Sequence, residues 1–218
     1  RAASTADTID QKLGKVSSKP DEKRAALRKR IDASEGLTNA IIFCNRKRDV
    51  ATLARSLQRH GYSVGALHGD MDQKSRMETL DAFKTNKLTL LVASDVAARG
   101  LDIPAVSHVF NFDVPVHAED YVHRIGRTGR AGRKGVAYTF VAGADGKHLD
   151  AILNLIQKPI EWLEDNAKAA RKPGEATEDT EGKVKRPSRR RTTASSKPAS
   201  EPAPNASKAA EAAPEAPT

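Results

Sequence analysis

Cysteine, aromatic residues and long apolar runs are all scarce in this chain of 218 residues. A single cysteine, Cys44, excludes an internal disulfide framework and a zinc site built on several cysteines. No run approaches the ~18 apolar residues of a membrane-spanning helix, and no signal peptide opens the chain. With aromatic residues at only 4%, the core must be built mainly from Val, Ile, Leu and Ala. We therefore expect a soluble, cytoplasmic protein.

The segment 166–218 lacks nearly every residue type that builds a core. It contains no Leu, Ile, Phe, Tyr, Trp or Met, and it holds seven of the eleven prolines. Such a composition cannot bury enough apolar surface to offset the entropy of ordering the chain. Its eleven Lys and Arg exceed its seven Asp and Glu, and the whole chain carries a charge of +9, which favours an anionic partner. We predict one domain over residues 1–165 and a disordered basic tail over 166–218.

Short apolar runs alternate with helical patterns along the predicted domain. Predicted strands cover 38–44, 62–67, 88–93, 106–112 and 135–141, and predicted helices cover 21–32, 48–60, 72–84, 118–127 and 147–157. Regular alternation without Asn-Gly hairpins predicts an α/β fold, in which helices cover both faces of a parallel sheet. Ligands of such sheets bind at the carboxyl ends of the strands, so the polar residues that follow the strands are the candidates for a site.

Two polar segments follow the first two predicted strands. Asn45 and Arg46 lie where a strand meets a helix N-terminus, whose free amides favour phosphate. A helix cap followed by solvated charges explains each of these side chains about as well. After the next strand comes Gly69, followed by Gln73 and Arg76, which share one helical face. A Gln–Arg pair suits a phosphodiester, but by itself a solvated helix face is the simpler interpretation.

The third segment joins the most apolar strand directly to Ser94, and it continues through small residues to Arg99, Gly100 and Asp102. The Ser94 hydroxyl can donate to a phosphate oxygen, and Gly100 allows a ligand to approach the backbone. Asp102 suits ribose hydroxyls, although it could also cap a helix or turn. Arg99 stands between alanine and glycine, which is harder to explain as surface decoration.

The fourth segment combines arginines with glycines. His123, Arg127 and Arg130 would form one helical stripe if the helix continued that far. Gly126 and Gly129 each weaken a helix by about 1 kcal/mol relative to alanine. Their presence therefore indicates that a ligand or another backbone comes close. Arginine suits the stabilisation of phosphoryl transfer, with a plain nucleic-acid patch as the alternative.

In order and content, the four segments resemble those of the second RecA-like domain of a DEAD-box RNA helicase. IIFCNRK is similar to motif IV, HGDMDQKSR to motif IVa, ASDVAARGLDI to motif V and HRIGRTGRAG to motif VI. The resemblance covers about residues 9–163, and Ser94 stands where the family usually has threonine. It implies a RecA-like parallel sheet sandwiched by helices, with ATP and RNA as ligands.

The resemblance also implies a role for each matching residue. Arg127 and Arg130 would be arginine fingers that reach the γ-phosphate of ATP held by a partner domain. Asp102 would contact the ATP ribose, while His123 and Arg124 would couple the nucleotide site to the partner domain. The nucleotide-site residues are then Asp102, His123, Arg124, Gly126 and Gly129. The residues that would hold the RNA backbone without reading bases are Asn45, Arg46, Gly69, Gln73, Arg76, Ser94, Arg99 and Gly100.

Two motifs of a complete ATP site are missing from the sequence. A phosphate-binding loop needs Gly-Lys followed by Ser or Thr, but the three Gly-Lys pairs precede Val16, His148 and Val184. The Asp-Glu-Ala-Asp sequence that would hold Mg²⁺ is also missing. We therefore expect the C-terminal half of an ATP-dependent helicase for local unwinding of RNA duplexes, inactive without its own N-terminal RecA-like domain. That domain would hold Mg²⁺, so no metal ligand is expected in this chain.

An RNA-degrading complex is a further expected partner, since some bacterial DEAD-box helicases join such assemblies. The alternative is a non-enzymatic RNA-binding or docking module of an RNA-processing assembly. The basic tail fits that alternative, whereas the closely spaced glycines and arginines around Gly126 do not.

Overall fold

A computed structural model describes residues 8–130 and 132–163 of the chain. Its strands are β1 (Ile9–Lys15), β2 (Ala40–Cys44), β3 (Val64–Leu67), β4 (Leu90–Ser94), β5 (His108–Asn111), β6 (Gly135–Val141) and β7 (Glu161–Trp162). Its helices are α1 (Pro20–Asp32), α2 (Lys47–Arg59), α3 (Gln73–Lys84), α4 (Asp95–Ala98), α5 (Ala118–Ile125) and α6 (Gly146–Ile156). The predicted tail, 166–218, lies outside the described residues.

The strands form one parallel sheet in the order β3-β4-β2-β5-β6-β1-β7. Every residue of β2, β4 and β5 is buried, because helices cover both faces of the sheet at its centre. The predicted α/β fold with a parallel, RecA-like sheet is therefore confirmed for the described residues. None of the helices described here is long and apolar enough to cross a membrane.

Alternate residues of the strands build two separate cores. Ile41 and Phe43 pack on one face together with side chains of α3, α5 and α6. Ile42 points to the opposite face, where α1 and α2 supply Leu27, Leu53 and other apolar side chains. The period of two along each strand therefore assigns α1 and α2 to one layer and the remaining long helices to the other.

Three short or polar elements were not predicted from the sequence. The sequence of β1 is IDQKLGK, and its polar residues give no recognisable strand pattern. The strand nevertheless pairs with β6 along its whole length. β7 has two residues and α4 has four, too few for either pattern to show. These elements depend on pairing and packing with distant segments rather than on local preference.

The predicted helix at 118–127 is too long by two residues. Helix α5 ends at Ile125, and Gly126 follows as its C-cap. His123 lies on the helix, whereas Arg127 and Arg130 lie beyond its end, so the helix does not continue far enough to form the stripe of three side chains. A C-terminal glycine is a common way to end a helix.

Candidate functional site

Three of the four polar segments meet at one edge of the sheet. They follow β2, β3 and β4, which are parallel neighbours, so their carboxyl ends lie side by side. We call the group at this edge the strand-end surface. It consists of Asn45, Arg46, Gly69, Gln73, Arg76, Ser94, Arg99 and Gly100. Arg46, Gly69, Gln73, Arg99 and Gly100 are exposed there.

Helix α4 organises the middle of the strand-end surface. Ser94, the last residue of β4, is 7% exposed, and its Oγ accepts a hydrogen bond from the backbone N–H of Ala97 at 3.4 Å. Arg76 donates from Nη2 to the carbonyl of Ala97 at 3.3 Å, while its buried Nε has no partner among the described residues. The Ser94 hydroxyl thus works as a helix cap in this state, and Arg76 retains an unused donor close to it.

Arg99 and Gly100 end α4 in a conformation that turns the chain sharply. Gly100 has a φ of +76°, where a side chain would be strained, but open space surrounds its Cα. The Arg99 side chain is 69% exposed, and its Nη2 lies 3.1 Å from the Asp120 carboxylate at the start of α5. Arg99 therefore links the strand-end surface to α5 and still presents most of its guanidinium to solvent.

Arg124 is the buried centre of the site. Its side chain is 1% exposed and makes a bidentate pair with Asp95, Nε to Oδ1 at 2.7 Å and Nη2 to Oδ2 at 2.6 Å. The same guanidinium donates to the carbonyl of Asp113 and to Oδ1 of Asn45, at 2.7 and 2.8 Å. It also lies 5.2 Å from the ring of Phe43. Arg124 therefore ties α5 to the ends of β2, β4 and β5, with its donors used inside the domain.

Asn45 is held as tightly as the arginine it supports. Its Nδ2 donates to the carbonyl of Val114 at 2.8 Å, and its backbone N–H donates to Asp113 at 3.1 Å. Although the residue is exposed, its side-chain amide is engaged within the domain. Asn45 and Arg124 thus shape the site in this structure, and their predicted ligand contacts remain predictions.

The fourth polar segment does not stay at the carboxyl edge of the sheet. The carbonyl of Arg127 accepts from Val106 at 3.0 Å, and the Thr128 hydroxyl donates to the carbonyls of Val106 and Ser107 at 2.6 and 2.9 Å. Val106 and Ser107 immediately precede β5, so this segment has crossed to the amino-terminal edge. The general rule for parallel sheets therefore locates the first three segments but not this one.

A cleft of about 270 Å³ runs from the strand-end surface toward this arginine segment. It is lined by Phe43, Asp95, Ala98, Arg99, Asp120, His123, Arg124 and Arg127. Arg127 is half-buried, and its pKa is lowered by burial and then by the nearby charge of Arg130. Arg130 is exposed, and its Nε donates to the carbonyl of Gly126 at 2.6 Å. Two neighbouring arginines of this kind are stabilised by an anion placed between their charges.

The glycines of the arginine segment are explained by packing. Gly129 has a φ of +67°, and a Cβ there would lie 2.7 Å from Cγ1 of Ile9 in β1. A Cβ on Gly126 would lie 3.1 Å from the carbonyl of Val122. The sequence suggested a ligand or another backbone near Gly129, whereas the structure places the Ile9 side chain there. The predicted place of Gly129 at the nucleotide remains a prediction.

Asp102 lies apart from the strand ends. Its side chain is 94% exposed, and its carboxylate lies 3.1 Å from Nζ of Lys84, the last residue of α3. The exposure leaves it accessible to a ligand, as the expected ribose contact requires.

Sequence reasoning missed the acidic partners of the arginines. The carboxylate of Asp95 holds Arg124 and that of Asp120 holds Arg99, whereas Asp113 accepts from Arg124 through its backbone carbonyl and pairs its carboxylate with Lys23. Asp95 and Asp113 follow directly after or close to the ends of β4 and β5. Their position after a buried strand was the feature of the sequence that could have identified them as site residues. Asp95 and Arg124 are 29 residues apart in sequence, so their pairing is seen only in the fold.

The fold and this site define a RecA-like domain with a cationic site at its sheet edge, and comparison with known proteins agrees. The family described as helicase conserved C-terminal domain matches residues 22–132. The ATP-dependent RNA helicase Dbp3 of Aspergillus terreus is 46% identical over 140 residues, 64% of this chain and 28% of that protein. RhlB of Xanthomonas oryzae is 44% identical over 171 residues, 74% of this chain and 30% of that protein.

Among solved structures, the Escherichia coli DEAD-box protein SrmB, bound to the regulator of ribonuclease activity A, is similar with a TM-score of 0.69. It is 37% identical, and the match covers 77% of this chain and 98% of that one. The chain belongs to the DEAD-box helicase family, as its conserved C-terminal domain. It spans about three tenths of the length of the curated relatives it matches, which are 28% and 30% covered.

Proposed function

We propose that the chain is the C-terminal half of the core of an ATP-dependent RNA helicase. The strand-end surface holds the RNA backbone, and Arg127 and Arg130 reach the γ-phosphate of ATP bound by an N-terminal RecA-like domain. The observation that supports this most is the single cleft lined by both Arg99, from the strand-end surface, and Arg127, from the arginine segment. One domain therefore offers cations to two phosphate-bearing ligands across a short distance.

The role of the two arginines in this proposal is to stabilise negative charge on the γ-phosphate. Arginine keeps its charge when partly buried, and its planar fork matches phosphate oxygens. The pKa of Arg127 is lowered first by the loss of water on burial and then by the nearby positive charge of Arg130. A γ-phosphate between them removes that repulsion, most of all when negative charge builds on its oxygens during transfer. Mg²⁺ belongs in this proposal to the N-terminal domain.

The two ligand sites are joined through Arg124. Asn45 belongs to the surface proposed to hold RNA, Asp95 follows Ser94 of that surface, and Arg124 bonds both of them from the helix that leads to Arg127. RNA and ATP bound across the interdomain cleft each favour the closed arrangement, so each raises the affinity of the other. Closure would bend one RNA strand, which disfavours a duplex.

The test joins this chain to an N-terminal RecA-like domain and changes Arg127→Ala. ATP turnover should fall about 10³-fold or more, because an arginine finger is worth that much in comparable phosphoryl transfers, while ATP binding stays nearly intact. Arg133→Ala, an exposed arginine nearby, is the matched control and should keep most of the turnover. Unchanged turnover in the Arg127 variant would remove this residue from the mechanism.

The chain by itself should show no measurable RNA-stimulated ATPase activity. Robust turnover by the purified chain would contradict the proposal, and tight RNA binding without linkage to ATP in the rejoined protein would favour the non-enzymatic module. Docking of an RNA-degrading complex is also proposed, with the protein-bound state of the SrmB structure as its support. A pull-down with and without residues 166–218 would separate docking by the tail from docking by the domain.

A further inference from the structure

The positive charge of the domain is concentrated on one of its two helical layers. Helices α1 and α2 together carry nine Lys and Arg against four Asp and Glu. The helices of the opposite layer, α3 to α6, carry five against six. None of the four segments identified in the sequence accounts for this asymmetry, because Lys47 is the only one of these nine cationic residues that belongs to a segment.

A second cleft of about 280 Å³ lies where this basic layer meets the carboxyl edge of the sheet. Its cationic lining comes from Lys23 and Arg24 of α1 and from Arg46 and Arg48 at the start of α2. The other lining residues are Ser18, Pro20, Asp49, Thr52, Leu53, Phe112 and Asp113. Lys23 is committed within the fold, since its Nζ lies 2.6 Å from Asp113 and 4.6 Å from the ring centroid of Phe112.

Arg46 and Arg48 are more available to a ligand, whereas Arg24 is 22% exposed and its guanidinium pairs with the exposed carboxylate of Asp21. The Arg48 side chain is 73% exposed, and its Nε lies 3.8 Å from the adjacent Asp49. Arg46 is the N-cap residue of α2 and makes no side-chain cap bond. Positive charge in the first turn of a helix is unfavourable in the free protein, because the helix dipole and the unpaired amides already make that end positive. An anion bound in the cleft makes the placement of these positive charges favourable, because it is attracted to both the arginines and the helix N-terminus.

The cleft continues the line of the strand-end surface. Along the sheet, the candidate RNA residues follow β3, β4 and β2, and the next strand in that order is β5. Phe112 and Asp113, at the end of β5, line the cleft, and Arg46 belongs to both the cleft and the strand-end surface. A polyanion crossing the strand ends therefore meets Arg48 and Arg24 immediately after Arg46.

We propose that this cleft holds one or two phosphates of the RNA strand where the strand leaves the strand-end surface. The inference rests on the proposed function, since it extends the same RNA path over the α1–α2 layer. RNA is favoured over an acidic peptide because the cleft is continuous with the predicted phosphate contacts. Planar guanidinium groups also bind phosphate in two-point contacts.

The test measures binding of the full chain to single-stranded RNA oligomers of increasing length by fluorescence anisotropy, over a range of salt concentrations. Arg48→Gln should leave the affinity for the shortest binding oligomer unchanged and weaken that for longer ones. For the longer oligomers, the slope of log affinity against log salt should become shallower by about 0.7, the value for one phosphate contact on a single strand. Arg24→Gln should act in the same direction.

Arg59→Gln is the matched control, because it removes the same charge from the exposed C-terminal end of the same helix. The helix dipole makes loss of Arg48 stabilising and loss of Arg59 destabilising, so a general weakening of the fold would affect the control more. The tail is identical in the unchanged chain and in the three variants, so its contribution to RNA binding cancels.

Equal affinities and slopes for the Arg48 and Arg59 variants would overturn the inference. If polyglutamate binding depends on Arg48 while RNA binding does not, the cleft is a protein-docking site and the inference is again wrong. Loss of RNA binding in Arg99→Gln together with unchanged binding in Arg48→Gln would leave the proposed function standing and reject only this extension. RNA binding insensitive to both changes would reject both.

Discussion

At the scale of single residues, the arginines of this domain divide into a buried, structural group and a solvent-accessible group. Arg124 is buried and bonded on every side, whereas Arg99 and Arg130 are exposed and Arg127 is half-buried. Arg124, Arg127 and Arg130 lie in one short segment, and Arg99 lies in another of the polar segments. The residue type is the same at all four positions, so it does not distinguish the two groups. Burial does, because a guanidinium without water must be paired by neighbouring oxygens.

Arg124→Met should lower the free energy of unfolding by about 3 kcal/mol, because it leaves Asp95 partly buried without its partner. This is the lower part of the range for a broken buried pair, since the Asp95 side chain is 22% exposed. Arg99→Met breaks the exposed pair with Asp120 and should cost less than about 1 kcal/mol. Urea denaturation of the two variants checks both values, and equal stabilities would mean that Arg124 does not support the fold.

At the scale of elements, helices α2 and α3, which both begin at the carboxyl edge of the sheet, differ in their caps. Asp72 caps α3 by accepting from the backbone N–H and the hydroxyl of Ser75, at 2.9 and 2.6 Å, and these bonds lower its pKa. Helix α2 begins after Arg46, a poor cap that makes no such bond. An element that begins suboptimally at a proposed phosphate contact indicates that binding has been favoured over stability at this position.

Arg46→Ser should therefore stabilise the chain by about 0.5–1 kcal/mol, since serine caps the helix and the unfavourable charge is removed. The same change should weaken RNA binding. Asp72→Ala is the comparison in the opposite direction, because it removes an existing cap and should destabilise the chain. Thermal unfolding and RNA titration are the two measurements, and a destabilised Arg46→Ser protein would contradict the interpretation of this cap.

At the scale of the whole molecule, the stability of the domain should depend on pH through a histidine in the sheet. His108 is 3% exposed, stacks near Phe110 and Tyr138, and has its pKa lowered by burial from the usual 6.5. As pH falls below that value, the unfolded chain takes up a proton before the folded chain does. The free energy of unfolding should therefore decrease as pH falls from about 7 toward the folded pKa.

His108→Phe keeps the stacked ring and removes the titrating group, so it should lose less stability than the unchanged protein between pH 7.5 and 5.5. Urea unfolding at the two pH values measures the difference. His117→Gln changes an exposed histidine and should follow the unchanged protein. Parallel pH dependence in all three proteins would show that His108 does not drive the effect.

The sequence by itself determined the class of fold and the family. Alternation of apolar runs with helical patterns predicted the parallel sheet, and the four polar segments carried the resemblance to DEAD-box helicases. Both inferences were possible because each pattern lies within a short stretch of sequence. Ten predicted helices and strands have the predicted type, with ends displaced by a few residues. The boundary between the domain (1–165) and the tail (166–218) stays a prediction, and so do the ligand roles of the site residues.

Only the tertiary structure decided which of these residues are available to a ligand. It buried Arg124 between Asp95, Asn45 and Asp113, ended α5 before Arg127, and carried the arginine segment to the opposite edge of the sheet. It also joined Arg24 and Arg48 in one cleft, although they lie on separate helices. The physical reason is that pairing and burial depend on contacts between distant segments, and local sequence patterns do not record those contacts.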